Sequence, residues 1–207
     1  MSNDSLAVFS KAPLPGLAKT RLGEQIGMRA AAARYEEMLL LQLAQAQATS
    51  GHNALYLYCA GPRHLGWFQE RFPYWNLKIQ EGQDLGQRMH HAFQELFSQG
   101  SAKVILIGTD TPDLSAELIL QANDLLESSE VVIGPAVDGG YYLIGQRSPG
   151  WRLFEEINWS TDQVLAQTIE RIEQQGLSFS LLPELRDIDT KEDLKALSRP
   201  QNPKAPS

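Results

Sequence analysis

Residues 104–114 read VILIGTDTPDL and decide the fold that we expect. The apolar run at 104–107 predicts a short buried strand, and Asp110 follows it closely. In open α/β sheets, ligands bind in the crevice outside the carboxyl ends of the strands. Hard cations such as Mg²⁺ or Mn²⁺ combine one or two carboxylates with phosphate oxygens and waters. We therefore predict that Asp110 faces such a cation in a nucleotide site.

The rest of the chain alternates strand and helix patterns around this stretch. Apolar runs predict further strands at 6–9, 54–60, 77–80, 130–136 and 179–182. Helical spacing and capping signals predict helices at 24–49, 62–75, 84–98, 115–127 and 162–175, and a last helix that begins near residue 190. Such alternation favours an α/β fold with a mostly parallel sheet covered on both faces. We expect one domain over residues 1–199 and a disordered tail, rich in proline and polar residues, at 200–207.

The composition argues against several classes of protein. A net charge of −7 disfavours general binding to nucleic acids or anionic membranes, because both need a basic surface. No apolar run approaches the ~20 residues that span a bilayer, and the first residues lack a signal-peptide pattern. The only cysteine, Cys59, has no partner in the chain for a disulfide. We therefore expect a cytoplasmic protein with no membrane span.

A basic loop follows the first predicted strand. Residues 10–23 contain Lys11, Lys19 and Arg21 and no acidic residue. Chemistry that releases a diphosphate places negative charge on phosphate oxygens, and cations and backbone donors held in place stabilise that charge. We predict that these three side chains bind phosphate, together with the backbone amides of residues 16–18. A solvated basic loop without a ligand is the alternative that spacing leaves open.

A phosphate-binding P-loop is a further alternative, since Lys19-Thr20 matches the end of the pattern G-x-x-x-x-G-K-[ST]. The two glycines that this pattern requires fall on Pro13 and Ala18. Neither residue has the backbone freedom that wraps a phosphate. The sequence therefore disfavours a P-loop kinase or NTPase.

Further carboxylates lie near predicted loop ends. Asp187 or Asp189 would supply a second metal ligand, because the two side chains share a face if that stretch is extended. Asp138 precedes two glycines and would bind a sugar hydroxyl or an acceptor, and Asp162 would act as a base. Each also has a structural alternative, the support of a turn or of a helix start.

Five ordered motifs resemble a known family. They are residues 9–16 with 18–22 (FSKAPLPG and AKTRL), 83–89 (QDLGQRM), 108–112 (GTDTP), 134–136 with 138–143 (GPA and DGGYYL), and 187–190 (DIDT). Together they resemble glycosyltransferase-A-like proteins described as radical-SAM/selenodomain-associated transferases, a branch of the nucleotide-diphospho-sugar transferase superfamily. The stretch at 19–21 and the pattern at 108–112 are also similar to those of phospholactate guanylyltransferases and molybdenum-cofactor nucleotidyltransferases.

This resemblance implies a Rossmann-like three-layer α/β/α sandwich with a mixed, mainly parallel sheet. It implies catalytic roles for Asp110, Lys19, Arg21 and Asp138. Nucleotide and phosphate contacts fall on Lys11, Pro15, Gly16, Lys19, Arg21, Asp84, Arg88 and Thr109. Acceptor or sugar contacts fall on Asp138, Gly139, Gly140, Tyr141 and Asp162, and metal contacts on Asp110, Asp187 and Asp189. Sugar transferases of this fold usually carry Asp-x-Asp, whereas here the next carboxylate after Asp110 is Asp113, so we expect the second metal ligand elsewhere.

The expected activity is metal-dependent transfer from a nucleotide-activated donor, with Mg²⁺ or Mn²⁺ as cofactor. The expected partners are a nucleotide sugar or NTP and a small-molecule acceptor. The leading hypothesis is glycosyl transfer to an acceptor hydroxyl. The alternative is nucleotidyl transfer with release of pyrophosphate, and a third hypothesis is nucleotide binding without turnover. The sequence leaves the donor, the acceptor, the general base and the oligomeric state open.

Overall fold

The computed structural model describes residues 3–197 and is built around one seven-stranded sheet. All the predicted apolar runs form strands, and the strand at 104–107 has the predicted bounds. The predicted tail at 200–207 lies outside the described residues. The strands are β1 (Asp4–Ser10), β2 (Asn53–Cys59), β3 (Asn76–Ile79), β4 (Val104–Ile107), β5 (Val131–Pro135), β6 (Tyr141–Gln146) and β7 (Phe179–Leu181).

The helices lie between these strands, and none of those within residues 3–197 is long and apolar enough to cross a membrane. They are α1 (Thr20–Ile26), α2 (Met28–Ala48), α3 (Pro62–Arg71), α4 (Leu85–Ser98), α5 (Ala116–Leu125), α6 (Val164–Gln174) and α7 (Lys191–Leu197).

The single helix expected at 24–49 is wrong. Two helices, α1 and α2, meet at Gly27, whose φ of 91° lies in a region that side-chain-bearing residues rarely adopt. The first of them begins at Thr20, inside the predicted basic loop. The end of that loop is therefore helical, and a glycine inside a helical pattern was the signal for the break.

The capping signals are confirmed. The hydroxyl of Ser115 accepts a hydrogen bond from the Leu118 amide at the start of α5. Thr190 and Asp193 form a reciprocal capping box, in which the Asp193 amide donates to the Thr190 hydroxyl and the Asp193 carboxylate accepts from the Thr190 amide. These side chains satisfy backbone donors that the helix itself leaves without a partner.

The sheet is mixed and mainly parallel, as predicted. Its strand order is β3-β2-β1-β4-β6-β5-β7, with β1 parallel to both β2 and β4. Strand β6 is antiparallel to β4 and to β5. It returns directly from β5 through the turn at 136–140, and such a short connection produces an antiparallel pair.

The central strands are buried on both faces, which explains their continuous apolar sequences. In β1, Leu6 and Val8 join the cluster on one face, while Ala7 and Phe9 join the cluster on the other. Residues of α2, α3 and α5 cover the first face, and residues of α4 and α6 cover the second. The fold is therefore the three-layer α/β/α sandwich expected from the sequence.

Candidate functional site

An open cleft of about 750 Å³ lies at the carboxyl ends of β1 and β4. From β1 the chain builds the sheet outward through β2 and β3, and then crosses to β4 on the opposite side of β1. The adjacent ends of β1 and β4 are thus a topological switch point, where doubly wound sheets bind ligands. The cleft is lined by four cationic and five anionic side chains, which are Lys11, Lys19, Arg21, Arg88, Asp110, Asp138, Asp162, Asp187 and Asp189.

Lys19 forms the central ion pairs of this cleft. Its Nζ lies 2.7 Å from Asp110 Oδ1 and 2.7 Å from Asp189 Oδ1. Burial by itself lowers the pKa of Lys19, but attraction to Asp110 and Asp189 outweighs burial and raises that pKa above its ordinary value. Lys19 is therefore charged and paired with two of the predicted metal ligands, and its phosphate contact stays a prediction.

The three partners converge from separate elements. Lys19 precedes α1, Asp110 follows β4, and Asp189 lies just before α7. The Ile188 amide donates a hydrogen bond to the Asp110 carbonyl at 2.9 Å, which fastens the segment before α7 to the loop after β4. The backbone therefore brings the two carboxylates together without depending on the lysine.

Asp187 is the most perturbed carboxyl group of the cleft. Burial raises its pKa to about 6, and the nearby Asp110 and Asp138 charges add to this effect. The hydroxyl of Thr111 donates a hydrogen bond to Asp187 Oδ1, which acts in the opposite direction, as does the charge of Lys19. Burial and neighbouring like charges destabilise the fold, so a chain seldom keeps such an arrangement without a use for it. Perturbed carboxyl groups of this kind are therefore typical of functional sites.

This shift predicts a pH-dependent effect of Asp187→Asn on stability. The folded pKa of Asp187 lies above the ordinary value of 3.8, so ionisation of this group favours the unfolded chain as the pH rises from about 4 to about 6. The variant should raise the free energy of unfolding by roughly 3 kcal/mol at pH 7.5, because the shift from 3.8 to about 6 is about two pKa units at about 1.4 kcal/mol each. At pH 4, where native Asp187 is neutral in the folded protein, the two proteins should be nearly equal.

Urea unfolding of the two proteins at both pH values measures this difference. A destabilised Asp187→Asn variant at pH 7.5, or an equal effect at both pH values, would contradict it. Asp113→Asn is the matched control, since Asp113 is exposed and the change should have the same small effect at each pH.

Tyr35 of α2 links the basic loop to the loop after β4. Its hydroxyl accepts a hydrogen bond from the Lys11 amide at 3.1 Å and lies 2.8 Å from Thr109 Oγ1. The side chain is buried. Burial, with the nearby charge of Asp110, raises the pKa of this hydroxyl. Tyr35 therefore stays neutral and holds two loops of the cleft at a fixed separation.

Besides the Lys11 amide, two further backbone amides of the basic loop donate hydrogen bonds within the protein. The Ala12 amide donates to His64 Nδ1 at 2.9 Å, and the Leu17 amide donates to the Leu14 carbonyl at 3.0 Å. Burial lowers the pKa of His64, so its ring is neutral and Nδ1 accepts the bond. Of the predicted phosphate donors at 16–18, the Leu17 amide is thus already engaged.

The turn between β5 and β6 also lines the cleft. Asp138 Oδ1 accepts a hydrogen bond from the Gly140 amide at 2.9 Å, and Gly139 has a φ of 86°. The Gly139 carbonyl accepts a bond from the Leu165 amide at 2.8 Å, which holds the segment that contains Asp162 against this turn. The predicted acceptor residues are therefore neighbours, although they come from different parts of the chain.

Most of the predicted site residues share this one cleft. Those that line it are Lys11, Lys19, Arg21, Arg88, Thr109, Asp110, Asp138, Gly140, Tyr141, Asp162, Asp187 and Asp189. Four others lie outside its lining, and these are Pro15, Gly16, Asp84 and Gly139. Asp84 has a structural function, since its carboxylate accepts a hydrogen bond from the Gln87 amide at the start of α4.

Some lining residues are not among the predicted ones. They include Tyr35, Gln80, Thr111 and Trp159. Tyr35 has the helical spacing of a core residue. Its hydroxyl was the signal that it also forms hydrogen bonds to the loops of the cleft. Trp159 packs so closely on Gly86 that a Cβ at that glycine would lie 2.6 Å from its ring. For Trp159, the signal in the sequence was a large aromatic residue within an otherwise polar loop.

The predicted metal ligands fit a divalent cation in their chemistry but are not arranged as a ready-made site. Within residues 3–197, no group of three or more His, Cys, Asp or Glu side chains is placed to hold a metal ion. The expected set of Asp110, Asp187 and Asp189 is therefore not preassembled. Mg²⁺ commonly binds through one or two carboxylates with phosphate oxygens and waters, and the carboxylate oxygens of this cleft suit that mode.

Solved structures share this fold. A proposed nucleotide-diphospho-sugar transferase from Desulfovibrio desulfuricans G20 is 36% identical, with a TM-score of 0.88 over 99% of this chain and 90% of that one. A CMP:2-keto-3-deoxy-manno-octonic acid synthetase complexed with CTP is 11% identical, with a TM-score of 0.57 over 95% and 97% of the two chains. Rv0371C from Mycobacterium tuberculosis H37Rv, in complex with manganese, is 14% identical, with a TM-score of 0.56 over 94% and 97%.

Sequence comparison identifies the family. No curated protein sequence matches the chain. A family model matches residues 42–161, more than half of the chain, including the loop after β4 and the turn between β5 and β6. With the 36% identity to the Desulfovibrio protein over nearly the whole chain, this match shows that the protein belongs to the family described as "uncharacterized protein conserved in bacteria" (DUF2064).

Proposed function

We propose that the protein is a metal-dependent transferase that uses a nucleotide-activated donor, with glycosyl transfer to a small acceptor as its reaction. The convergence of Lys19, Asp110 and Asp189 at the switch point of the sheet carries this proposal. Transfer of this kind needs cations for the departing phosphate and carboxylates for the metal, both within one cleft. The name of the Desulfovibrio relative supports the glycosyl form of the reaction.

Three cations of the cleft are available for phosphate. Among residues 3–197, Lys11, Arg21 and Arg88 form no ion pair, in contrast to Lys19. Arg88 is oriented by a hydrogen bond from its Nε to the Gly82 carbonyl at 3.1 Å. These side chains bind the donor's diphosphate and stabilise the charge that develops as it departs.

The carboxylates divide into two groups. Asp110, with Asp187 or Asp189, holds the divalent cation, which supplies further positive charge to the phosphate oxygens when it is bound. Asp138 and Asp162 lie at the turn between β5 and β6 and the segment held against it, and they orient the acceptor. Asp138 keeps one carboxylate oxygen for this purpose, because the other accepts the bond from Gly140.

The same cleft suits nucleotidyl transfer, in which the acceptor attacks the α-phosphate of an NTP. The CTP-bound synthetase of the same fold supports this alternative. Rv0371C, which shares the fold, was solved in complex with manganese, and this supports a divalent metal in either reaction. The finer likeness to radical-SAM/selenodomain-associated transferases and to phospholactate guanylyltransferases stays a prediction.

Thermal shift with nucleotide sugars and NTPs, each with and without Mn²⁺, is the direct test. We expect a Mn²⁺-dependent rise in the melting temperature with at least one nucleotide. The responding nucleotide is then incubated with candidate acceptors, and the products are separated. A free nucleoside diphosphate supports glycosyl transfer, pyrophosphate supports nucleotidyl transfer, and binding without either product supports a nucleotide-binding protein. No metal-dependent shift with any nucleotide would contradict both enzymatic proposals.

A further inference from the structure

The position of Lys19 bears on how the cleft takes up a metal. Its side chain is 5% exposed, whereas those of Asp110 and Asp189 are 48% and 47% exposed. The ammonium group is therefore largely shielded from solvent where Lys19 lines the cleft, while both carboxylates are half exposed there. Lys19 therefore balances the negative charge of Asp110 and Asp189 without a bound cation.

The backbone holds Lys19 in this place. Its φ of 49° and ψ of 46° are left-handed, a conformation that costs free energy for a residue with a side chain. The Lys19 carbonyl accepts a hydrogen bond from the Gly23 amide at 2.8 Å, which fixes the residue to the first turn of α1. The loop thus fixes the backbone of Lys19, and the side chain reaches from there to the two carboxylates.

A metal ion shared by Asp110 and Asp189 would need the space of this ammonium. The same nitrogen lies 2.7 Å from one oxygen of each carboxylate, and Mg²⁺ binds such oxygens at about 2.0 to 2.1 Å. The two cations therefore exclude each other between these oxygens. A metal on Asp110 and Asp187 instead would still meet the positive charge of Lys19 beside Asp110.

We infer that Lys19 is a built-in competitor of the metal, which keeps the carboxylates closed to divalent cations in the ligand-free protein. This inference rests on the proposed function, because it concerns the same metal ligands. It makes metal uptake depend on the substrate, since a bound phosphate offers Lys19 another anion. The metal then enters together with the nucleotide rather than before it.

Mn²⁺ binding without any nucleotide tests the inference, with electron paramagnetic resonance reporting free Mn²⁺. Lys19→Met removes the charge and keeps a long side chain, and it should bind Mn²⁺ at least tenfold more tightly than the wild type. Lys19→Arg keeps the charge and should bind as weakly as the wild type. Lys11→Met is the matched control, because it removes one positive charge from the cleft without freeing a carboxylate, and its affinity should change less than threefold.

Two outcomes overturn the inference. One is an unchanged or weaker Mn²⁺ affinity of Lys19→Met in protein whose circular dichroism and melting curve show it to be folded. The other is an equal gain in Lys11→Met, which would reduce the effect to general charge. The double variant Lys19→Met with Asp110→Asn should lose the gain. A gain that persists would place the metal away from Asp110 and would overturn the inference as well. The wild type could bind nucleotide only with Mn²⁺ while Lys19→Met shows no increase in Mn²⁺ affinity. That result would contradict this inference and still support the proposed function.

Discussion

Replacing Asp110 with Asn is expected to lower turnover at least about 100-fold and to abolish the Mn²⁺-dependent part of nucleotide binding. The substitution keeps the shape of the side chain and removes the negative charge that faces the cleft. Binding of nucleotide without metal should change much less, because Lys11, Arg21 and Arg88 are untouched. The measurements are initial rates with the responding donor and thermal shift with and without Mn²⁺.

Asp113→Asn is the matched control for this experiment. Asp113 lies three residues further along the same loop, is exposed, and does not line the cleft. The control should keep full turnover and the full metal-dependent shift. Asp110→Asn itself should remain folded, since Asp110 is half exposed and the shielded ammonium of Lys19 keeps Asp189 as a partner. An unchanged Mn²⁺ response in Asp110→Asn would show that the metal binds elsewhere.

The placement of Asp110 follows from the sequence because two local signals agree. Four successive apolar residues followed by a turn favour a strand buried on both faces, and an aspartate just past its end lies at the ligand-binding edge of the sheet. The basic loop after β1 reaches the same edge because β1 and β4 are parallel neighbours. Pattern and topology thus bring Lys11 and Asp110 into one cleft without any knowledge of side-chain contacts.

The pairing of Lys19 with Asp110 and Asp189 does not follow from such patterns. Lysine and aspartate in ligand-binding loops suggest a phosphate contact and a metal contact, and each assignment is sensible for its own segment. Their direct contact depends on the left-handed backbone at Lys19 and on the hydrogen bond from Ile188 to Asp110. Both are properties of the folded loops, and residues this far apart in the chain carry no local signal of them.

The functions of Tyr35 and Trp159 were hidden for a different reason. Each follows a pattern that packing alone explains, a buried position on a helix for Tyr35 and an aromatic contact with Phe154 for Trp159. Only the polar end of Tyr35, which holds Lys11 and Thr109, distinguishes it from a core residue. A buried side chain with a single polar group therefore looks like a core residue in the sequence, and its contacts with the cleft become visible only in the structure.

Replacing Gly139 with Ala is expected to cost about 3 kcal/mol of stability and to displace the part of the cleft that contains Asp138 and Asp162. Its φ of 86° is strained for any residue with a side chain, at about 1 to 2 kcal/mol. A Cβ at this position would also lie 2.7 Å from the Cα and the carbonyl carbon of Asp162. Backbone atoms cannot rotate away, so the segment around Asp162 must shift, at a further cost of about 1 to 3 kcal/mol.

Gly150→Ala separates these two contributions. Gly150 has a φ of 91°, and a Cβ there would meet no atom within 4 Å. It should therefore lose only the conformational part, about 1 kcal/mol, and keep nucleotide binding and turnover. Gly139→Ala should lose clearly more in urea unfolding, and its turnover should fall because the hydrogen bond from Leu165 to the Gly139 carbonyl holds the Asp162 segment in place. Equal losses of stability in the two variants would mean that the close approach of Gly139 to the Asp162 backbone does not restrict the side chain at position 139.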